Sequence, residues 1–418
     1  MVYRIALHPL RKYPGPTLWA ATRLPWIYYH YNGVLIFRIK ELHDRYGPVV
    51  RIAPDELSFI EPETWKDIYG GTDTTQLDRD PYIYPPENTR NLPNDIIHAN
   101  HADHARIRKR LAYAFSSKAL EKQETLIAKH VDVLIRQLCR VHGPQNISDW
   151  LNFVSFDTVA DLALGQSLGC LETGEYHPLA KHLIGAFRIG ILMSCLNRYL
   201  PLERMKFLLR RIIPKKTLEQ NKGFLINLDN TVRDRMARKS DRPDFISYML
   251  DHEDADATMT MKDIRANIAV FFIGGSESSA SLLSGLLFYL LRDPARLSRA
   301  VHEVRSSFAT DGEINYKTAS KLAYLTACLE EGLRVSTPTP FGIARRTRRP
   351  MMIGQHAVPV NTSVSVYQWA AFHSAENFSQ PDSFIPERWI AGNEEFVADK
   401  KGAFHPFGFG PRGCMGKQ

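Results

Sequence analysis

Cys414 stands in the run FHPFGFGPRGCMG, with Gly408, Gly410, Gly413 and Gly416 around it and Arg412 two residues before it. A thiolate can be a nucleophile, a zinc ligand or an iron ligand. Zinc needs partners at short spacing, and the nearest His or Cys is His405, nine residues back. A nucleophile needs a basic partner, which sequence alone does not place. Glycines on both sides let the backbone approach a flat ligand and aim amide N–H groups at the sulfur. Such hydrogen bonds stabilise the thiolate and tune a metal bound to it. Arg412 adds a cation that can pair with an anionic group of that ligand. A heme combines a flat face, an iron and two propionates.

Three other runs carry polar groups at telling spacings. EGLR places Glu331 and Arg334 on one helix face, and PERW supplies Arg388. GGSESS (274–279) lies inside ANIAVFFIGGSESSASLLSGLLFYLL (266–291), where Glu277 is the lone charge. That run is long enough to span a bilayer, but a lone Glu at mid-membrane is costly. A buried helix in a large core explains the same run. Two mid-helix glycines cost about 1 kcal/mol each relative to Ala, and they allow a helix bulge of the kind found at functional sites. A Ser hydroxyl there can bond its own helix backbone or a water. DHARIRKRLAYAFS puts His104 and Arg108 one helical turn apart, with Leu111 and Phe115 continuing that face. Arg106, Lys109 and Arg110 read as surface cations.

The elements that must hold these groups follow from patterning. PVVRIAP (48–54) and ELSFI (56–60) read as strands. Residues 70–97, rich in Pro, Asn, Asp and Thr, read as a long loop of the kind that usually has a function. From about 98 to 335 the period is helical, with breakers at HGPQN (142–146), IIPKK (212–216) and SDRPD (240–244). Residues 336–368 return to strand character, and 369–406 are irregular. KYPGP (12–16) is a rigid joint after a short apolar-basic stub. The expected organisation is that stub and hinge over 1–16 and one domain over 17–418, mainly α with a small β part (α+β).

Composition sets the outer bounds. Apolar residues at 44% and charged residues at 23% exclude a disordered chain. The net charge of +8 is spread along the chain, with clusters RIRKR (106–110) and RRTRR (345–349). It suits an anionic membrane surface, an acidic protein partner or nucleic acid. Five widely spaced cysteines without a C-x-x-C do not form a disulfide framework and point to a reducing compartment. MVYRIALHPL is too short for a signal peptide or a span, and GAFRIGILMSCLNRYL (185–200) carries two arginines.

Taken together, F-x-x-G-x-R-x-C-x-G (Phe407, Gly410, Arg412, Cys414, Gly416), E-x-x-R, P-E-R-W and GGSESS make the chain resemble the cytochrome P-450 family of heme-thiolate monooxygenases. The resemblance runs from KYPGP to Gly416 and is closest to filamentous-fungal members of secondary metabolism. It implies Cys414 as the axial ligand of heme b iron, with Arg412, Phe407 and Gly275 also at the cofactor. It implies His104, Arg108 and Arg345 at the propionates, with Arg346 as a solvent-facing neighbour of Arg345. Glu331, Arg334 and Arg388 become a structural charge network. Glu277 and Ser278 become the catalytic pair that delivers protons during dioxygen activation, with Ser in place of the usual Thr. Pocket-lining positions fall in LPNDIIH (92–98), before Gly274, and in STPTPF (336–341), which implies Ile97, Val270, Phe271, Pro338 and Phe341.

The resemblance also implies that the chain hydroxylates or otherwise oxidises a hydrophobic small molecule with O2, in secondary-metabolite biosynthesis. No dinucleotide fingerprint is read, so electrons are expected from NADPH through a separate reductase. Contact with a membrane surface is a further expectation; nucleic acid is not expected as a partner. Two departures are noted. The family's Y-P-G-P joint follows a membrane anchor, and the family continues after the cysteine loop with a helix that packs on the heme. The chain is therefore expected to be a P-450 fold shortened at both ends. Localisation is expected at the cytosolic face of the endoplasmic reticulum for an anchored form, and in the cytoplasm for this chain alone. The alternatives are a heme-thiolate isomerase or dehydratase, and a shortened fragment unable to hold heme.

Overall fold

The runs at 48–54 and 56–60 form a tight antiparallel hairpin, β1 (Val49–Ala53) and β2 (Glu56–Phe59), in the computed structural model of the chain. The structure describes all residues except 72–74, 86–94, 182–190, 192–194, 196–214, 239–243, 251–258 and 418. The apolar run 185–200 lies almost wholly in those stretches, as do residues 92–94 of the candidate pocket loop and most of the breakers at 212–216 and 240–244. These expectations fall outside the described residues. Further strands are β3 (Asp78–Arg79), β4 (Arg345–Arg346), β5 (Met351–Ile353), β6 (His356–Val358) and β7 (Ser363–Val366). The main sheet runs β1-β2-β7-β4-β3, and β5 pairs with β6 as a separate hairpin. β2 and β7 are parallel; the other pairs are antiparallel. Every residue of β1, β2 and β7 is buried. β2 (ELSF) and β7 (SVSV) alternate polar and apolar residues, yet Glu56, Ser58, Ser363 and Ser365 are buried along with their apolar neighbours, because both faces of these strands are covered.

The chain divides into two compact units. One comprises residues 1–81 and 282–414 and holds both sheets. Its helices Pro294–Ser307 and Ala323–Val335 share a core with Leu286, Leu290 and Phe384. The irregular text of 369–406 becomes the short helix Gln368–Phe372 and the 3-10 turns Pro386–Trp389, Glu394–Phe396 and Lys401–Ala403. Chain that lacks regular ladders needs other partners for its carbonyls, and the helix Ala323–Val335 supplies them, as described below.

The other unit comprises 82–281 and 415–418. Among its described residues the helices are His101–Leu111, Ser117–Arg140, Ile147–Leu164, Cys170–Thr173, Lys215–Ala237, Phe245–Leu250 and Met261–Phe272. Ile147–Leu164 is its central helix. Trp150, Phe153, Phe156, Ala160 and Leu164 pack with Ile264, Ile268 and Phe272. A capping box starts Met261–Phe272: the Thr260 hydroxyl accepts from the Asp263 N–H (3.2 Å) and Asp263 accepts from the Thr260 N–H (3.1 Å). The fold is mainly helical with a small sheet part, in agreement with the expected class.

The apolar run 266–291 differs from expectation in one respect. Helix Met261–Phe272 passes through a π-helical turn, Ile273–Glu277, into Ser278–Arg292. This helical stretch is the one among the described residues that is long and apolar enough to cross a membrane, yet only 22% of its most apolar window is buried. It is a half-buried helix, not a buried one. One stripe (Ile264, Ile268, Phe272, Ser276, Ala280) packs inward, and neighbours cover that face alone. Gly274 offers no side chain to pack, and no atom lies within 4 Å of where its Cβ would be.

Candidate active site

Glu331 and Arg334 face the same side of the helix Ala323–Val335, and both are fully buried. The carboxylate receives five donors. Arg334 donates through Nη2 to Oε1 (2.7 Å) and through Nε to Oε2 (2.9 Å). Arg388 Nε and the Ile385 N–H donate to Oε1 at 3.1 and 2.8 Å, and Trp389 Nε1 donates to Oε2 at 2.8 Å. Arg334 also donates to the carbonyls of Phe372 (2.8 Å) and Ser383 (2.8 Å). Arg388 donates to the Ser379 carbonyl (2.9 Å) and pairs with Asp399. Asp399 in turn accepts from the Ser379 N–H at 2.7 Å. The set is therefore a neutral quartet, two carboxylates against two guanidiniums. Charge balance and full hydrogen bonding are what let four ions sit without solvent. Asp399 and Trp389 were not read from sequence. An acid eleven residues beyond Arg388 has no local signature, because both lie in irregular chain.

That network holds the segment leading into the cysteine loop. The loop closes on itself: the Gly408 N–H donates to the His405 carbonyl (2.9 Å), Gly413 to Gly410 (2.9 Å), and Cys414 to Phe407 (2.7 Å). These three amides shape the turn that presents Cys414. Gly408 (φ 73°) and Gly410 (φ 74°) both occupy the left-handed region. A Cβ on Gly410 would also lie 2.1 Å from the Tyr69 carbonyl oxygen. Two independent penalties thus fall on one position. Gly410→Ala is expected to lower the melting temperature by several degrees and to reduce heme incorporation severalfold. Parent-like melting and heme content in that variant would show that the loop has another route past Tyr69. Gly408, Gly410 and Gly413 do spell G-x-G-x-x-G. The run follows the 3-10 turn Lys401–Ala403 and not a strand, so it lacks the setting of a nucleotide site.

The Cys414 side chain is exposed at the end of this loop. Arg412 is 9% exposed and Arg345, on β4, 1% exposed. Burial, with Arg79 and Arg345 nearby, pushes the Arg412 guanidinium down to about 9; Asp78 opposes the shift. Arg345 lies over the Tyr69 ring at 5.3 Å. Trp65, Tyr69, Gln368, Phe409, Arg345 and Arg412 line a small cavity here. Buried cations that disfavour one another's charge are relieved by anions. This unit therefore offers a thiol, a glycine turn and a cation cluster, which fits a flat metal ligand with carboxylates. Arg79, on β3, was not read from sequence; it reaches this place because β3 pairs with β4, opposite Arg345. Arg346 is not solvent-facing as expected. It pairs with Asp80 (3.1 Å) and Asp55 (3.4 Å), because alternation on β4 turns it toward acids.

In the other unit, the π turn at Ile273–Glu277 lies where the two glycines stand. A Cβ on Gly275 would approach Val159 Cγ2 to 2.8 Å, so glycine permits close packing on the helix Ile147–Leu164. Burial raises the Glu277 carboxyl above its ordinary value. The Ser278 hydroxyl donates to the Gly274 carbonyl at 2.5 Å, leaving its lone pairs to accept. Tyr176, whose phenol donates to Asp149 at 2.9 Å, feels the Glu277 charge; sequence reading missed it. His104 is buried and Arg108 partly exposed, one turn apart on the helix His101–Leu111. Phe271 packs with Phe115 (5.9 Å) and Phe245 (5.1 Å), and Val270 and Ile97 are partly buried. Pro338 and Phe341 belong to the first unit; Phe341 is 49% exposed.

The chain is similar to known proteins along nearly its whole length. The family profile described as cytochrome P-450 matches residues 13–418. The cytochrome P-450 monooxygenase astA of Talaromyces wortmannii is 38% identical over 100% of this chain and 84% of its own length. Averantin hydroxylase of Aspergillus parasiticus is 38% identical over 100% of this chain and 83% of its own length. Averantin hydroxylase of Dothistroma septosporum is 36% identical, covering 100% and 78%. The crystal structure of the cytochrome P450DA heme domain aligns with a TM-score of 0.78 at 19% identity, over 97% of this chain and 87% of that one.

Proposed function

This chain belongs to the cytochrome P-450 monooxygenase family, and from that premise we propose that it oxidises a hydrophobic small molecule of fungal secondary metabolism, with NADPH-derived electrons delivered by a separate reductase. The relatives named averantin hydroxylase support the substrate class, and hydroxylation is the favoured outcome. We read residues 17–418 as one catalytic domain, because the family profile runs across both units.

Heme, once bound, supplies the iron at which O2 is activated and the porphyrin that tunes it. Cys414 would hold the iron, and Arg345 and Arg412 would meet the propionates, joined by His104 and Arg108. Phe407 and Gly275 are read as further cofactor positions. Glu277 holds a proton at higher pH than an exposed glutamate does, so it can act as the local proton source. Ser278, fixed by its bond to Gly274, presents an oriented acceptor that can pass a proton on. Glu331, Arg334 and Arg388 touch none of the reacting atoms and act through the fold. Ile97, Val270, Phe271, Pro338 and Phe341 are read as apolar pocket positions. The exposed Met1, Val2, Tyr3, Ile5 and Leu7, interleaved with Arg4, suit contact with an anionic membrane surface, in keeping with the cytosolic face of the endoplasmic reticulum.

The observation that carries the proposal is the exposed Cys414 thiol on a glycine turn beside the Arg79–Arg345–Arg412 cluster. A carbon monoxide difference spectrum of the reduced protein tests it: a thiolate-type band is expected, and a heme-free preparation after heme supply would refute it. Glu277→Gln tests the proton role. The variant is expected to lose about 10²–10⁴-fold in turnover while O2 is still consumed without matching product. In the parent, coupling should fall as pH rises through the raised Glu277 pKa, since only the protonated acid donates. A pH-independent, tightly coupled Glu277→Gln enzyme would remove Glu277 from the mechanism. Product formation without O2 uptake would favour an isomerase instead.

A further inference from the structure

The turn Asp95–Ala99 is almost entirely closed by one residue. Asp95 Oδ1 accepts from the Ile97 N–H (2.9 Å) and the His98 N–H (3.0 Å), and His98 Nδ1 lies 2.9 Å from the same carboxylate. The Asp95 carbonyl accepts from the Ala99 N–H at 2.9 Å. The Ile96 N–H leaves the turn: it donates to Asn267 Oδ1 at 2.9 Å, across 171 positions of chain. Asn267 is fully buried on the helix Met261–Phe272, and its Nδ2 donates to the Asp263 carbonyl at 2.8 Å. Burial of an amide is unfavourable unless both ends are bonded. Here one end is held by the helix and the other by the turn, so the side chain is a fixed strut. Val270, Phe271 and Gly274 follow at i+3, i+4 and i+7 and share its helix face.

We propose that Asn267 is a positioning residue of the substrate pocket: through the Ile96 N–H it sets the place of Ile97 along the helix that carries Val270 and Phe271. The pocket assignment rests on the proposed function; the strut itself does not. A self-closed turn tied to a helix by such a bond can shift when that bond is lost, and selectivity for bulky ligands changes with it.

The test uses the heme-loaded full chain, with Asn267→Leu as the main variant. Hydrogen exchange is followed by mass spectrometry in the peptide covering 95–99 and, as a control, in the helix Ile147–Leu164. Binding of imidazole and of 4-phenylimidazole is titrated spectroscopically; the second ligand alone needs room for a phenyl group. Asn267→Leu should exchange about ten-fold faster at 95–99 with the control helix unchanged, and its ratio of 4-phenylimidazole to imidazole affinity should shift about ten-fold. Asn267→Ser, which withdraws the acceptor with less added bulk, should do the same and replaces Leu if that variant disturbs the core. Unchanged exchange at 95–99 overturns the strut. Faster exchange with an unchanged affinity ratio overturns its role in the pocket. Absence of a thiolate-type spectrum in the parent overturns the proposed function, while exchange in the same samples still reads the strut.

Discussion

Glu331→Ala should not yield a stable protein. The substitution removes the acceptor of five hydrogen bonds and leaves two guanidiniums buried at 0% exposure with Asp399 as their one remaining acidic partner in the quartet. Breaking a buried ion pair from one side costs about 3–5 kcal/mol, against about 1 kcal/mol for an ordinary hydrogen bond. Whole domains are stable by about 5–15 kcal/mol, so this one change consumes much of the margin. Glu331→Gln should rescue little, since its amide presents donors to arginines that need acceptors. Thermal melts and soluble yield check the expectation. A Glu331→Ala protein melting within about 2 °C of the parent would show that the quartet is not what holds the segment before the cysteine loop; 1 kcal/mol already moves a chain of this size by roughly that amount.

Cys414→Ser should do the reverse. The side chain is exposed, and its backbone N–H closes the loop on the Phe407 carbonyl. Serine keeps that amide, so melting of the heme-free protein should stay within about 2 °C of the parent. The chemistry should be lost: a hydroxyl is a poor substitute for a thiolate on iron. Turnover should fall by more than the roughly 100-fold that losing an outer-shell partner costs, and the thiolate-type carbon monoxide band should vanish. A Cys414→Ser variant that kept the band would place the ligand at another cysteine. The two substitutions separate the fold from the site, since the first acts without touching the reacting atoms and the second acts without touching the core.

The contrast also explains what could be read in advance. The loop around Cys414 packs its informative residues into one short run, and the left-handed φ values of Gly408 and Gly410 are local demands that glycine answers directly. Glu331 and Arg334 were legible for the same reason, being three residues apart on one helix. The π turn at Ile273–Glu277 coincides with a Gly-Gly pair whose cost in a helix is visible from composition. The half-burial of that helix was not legible. An apolar run reads alike whether neighbours cover one face or all of it.

By itself, the amino-acid sequence determined the glycine-bracketed cysteine run, the helical and strand segments, and the charged pair awaiting an arginine from PERW. Those are consequences of local periodicity and of residue types at short spacing; the heme-thiolate reading of the run came from its resemblance to a family. Tertiary structure alone decided that Asp399 neutralises Arg388, that Arg79 stands in the Arg345–Arg412 cluster, that Arg346 turns to Asp80, and that Ile96 hangs on Asn267. Each is a meeting of side chains whose spacing along the chain carries no period. Packing of the sheet and helices brings them together, and burial then obliges every charge and amide to find a partner.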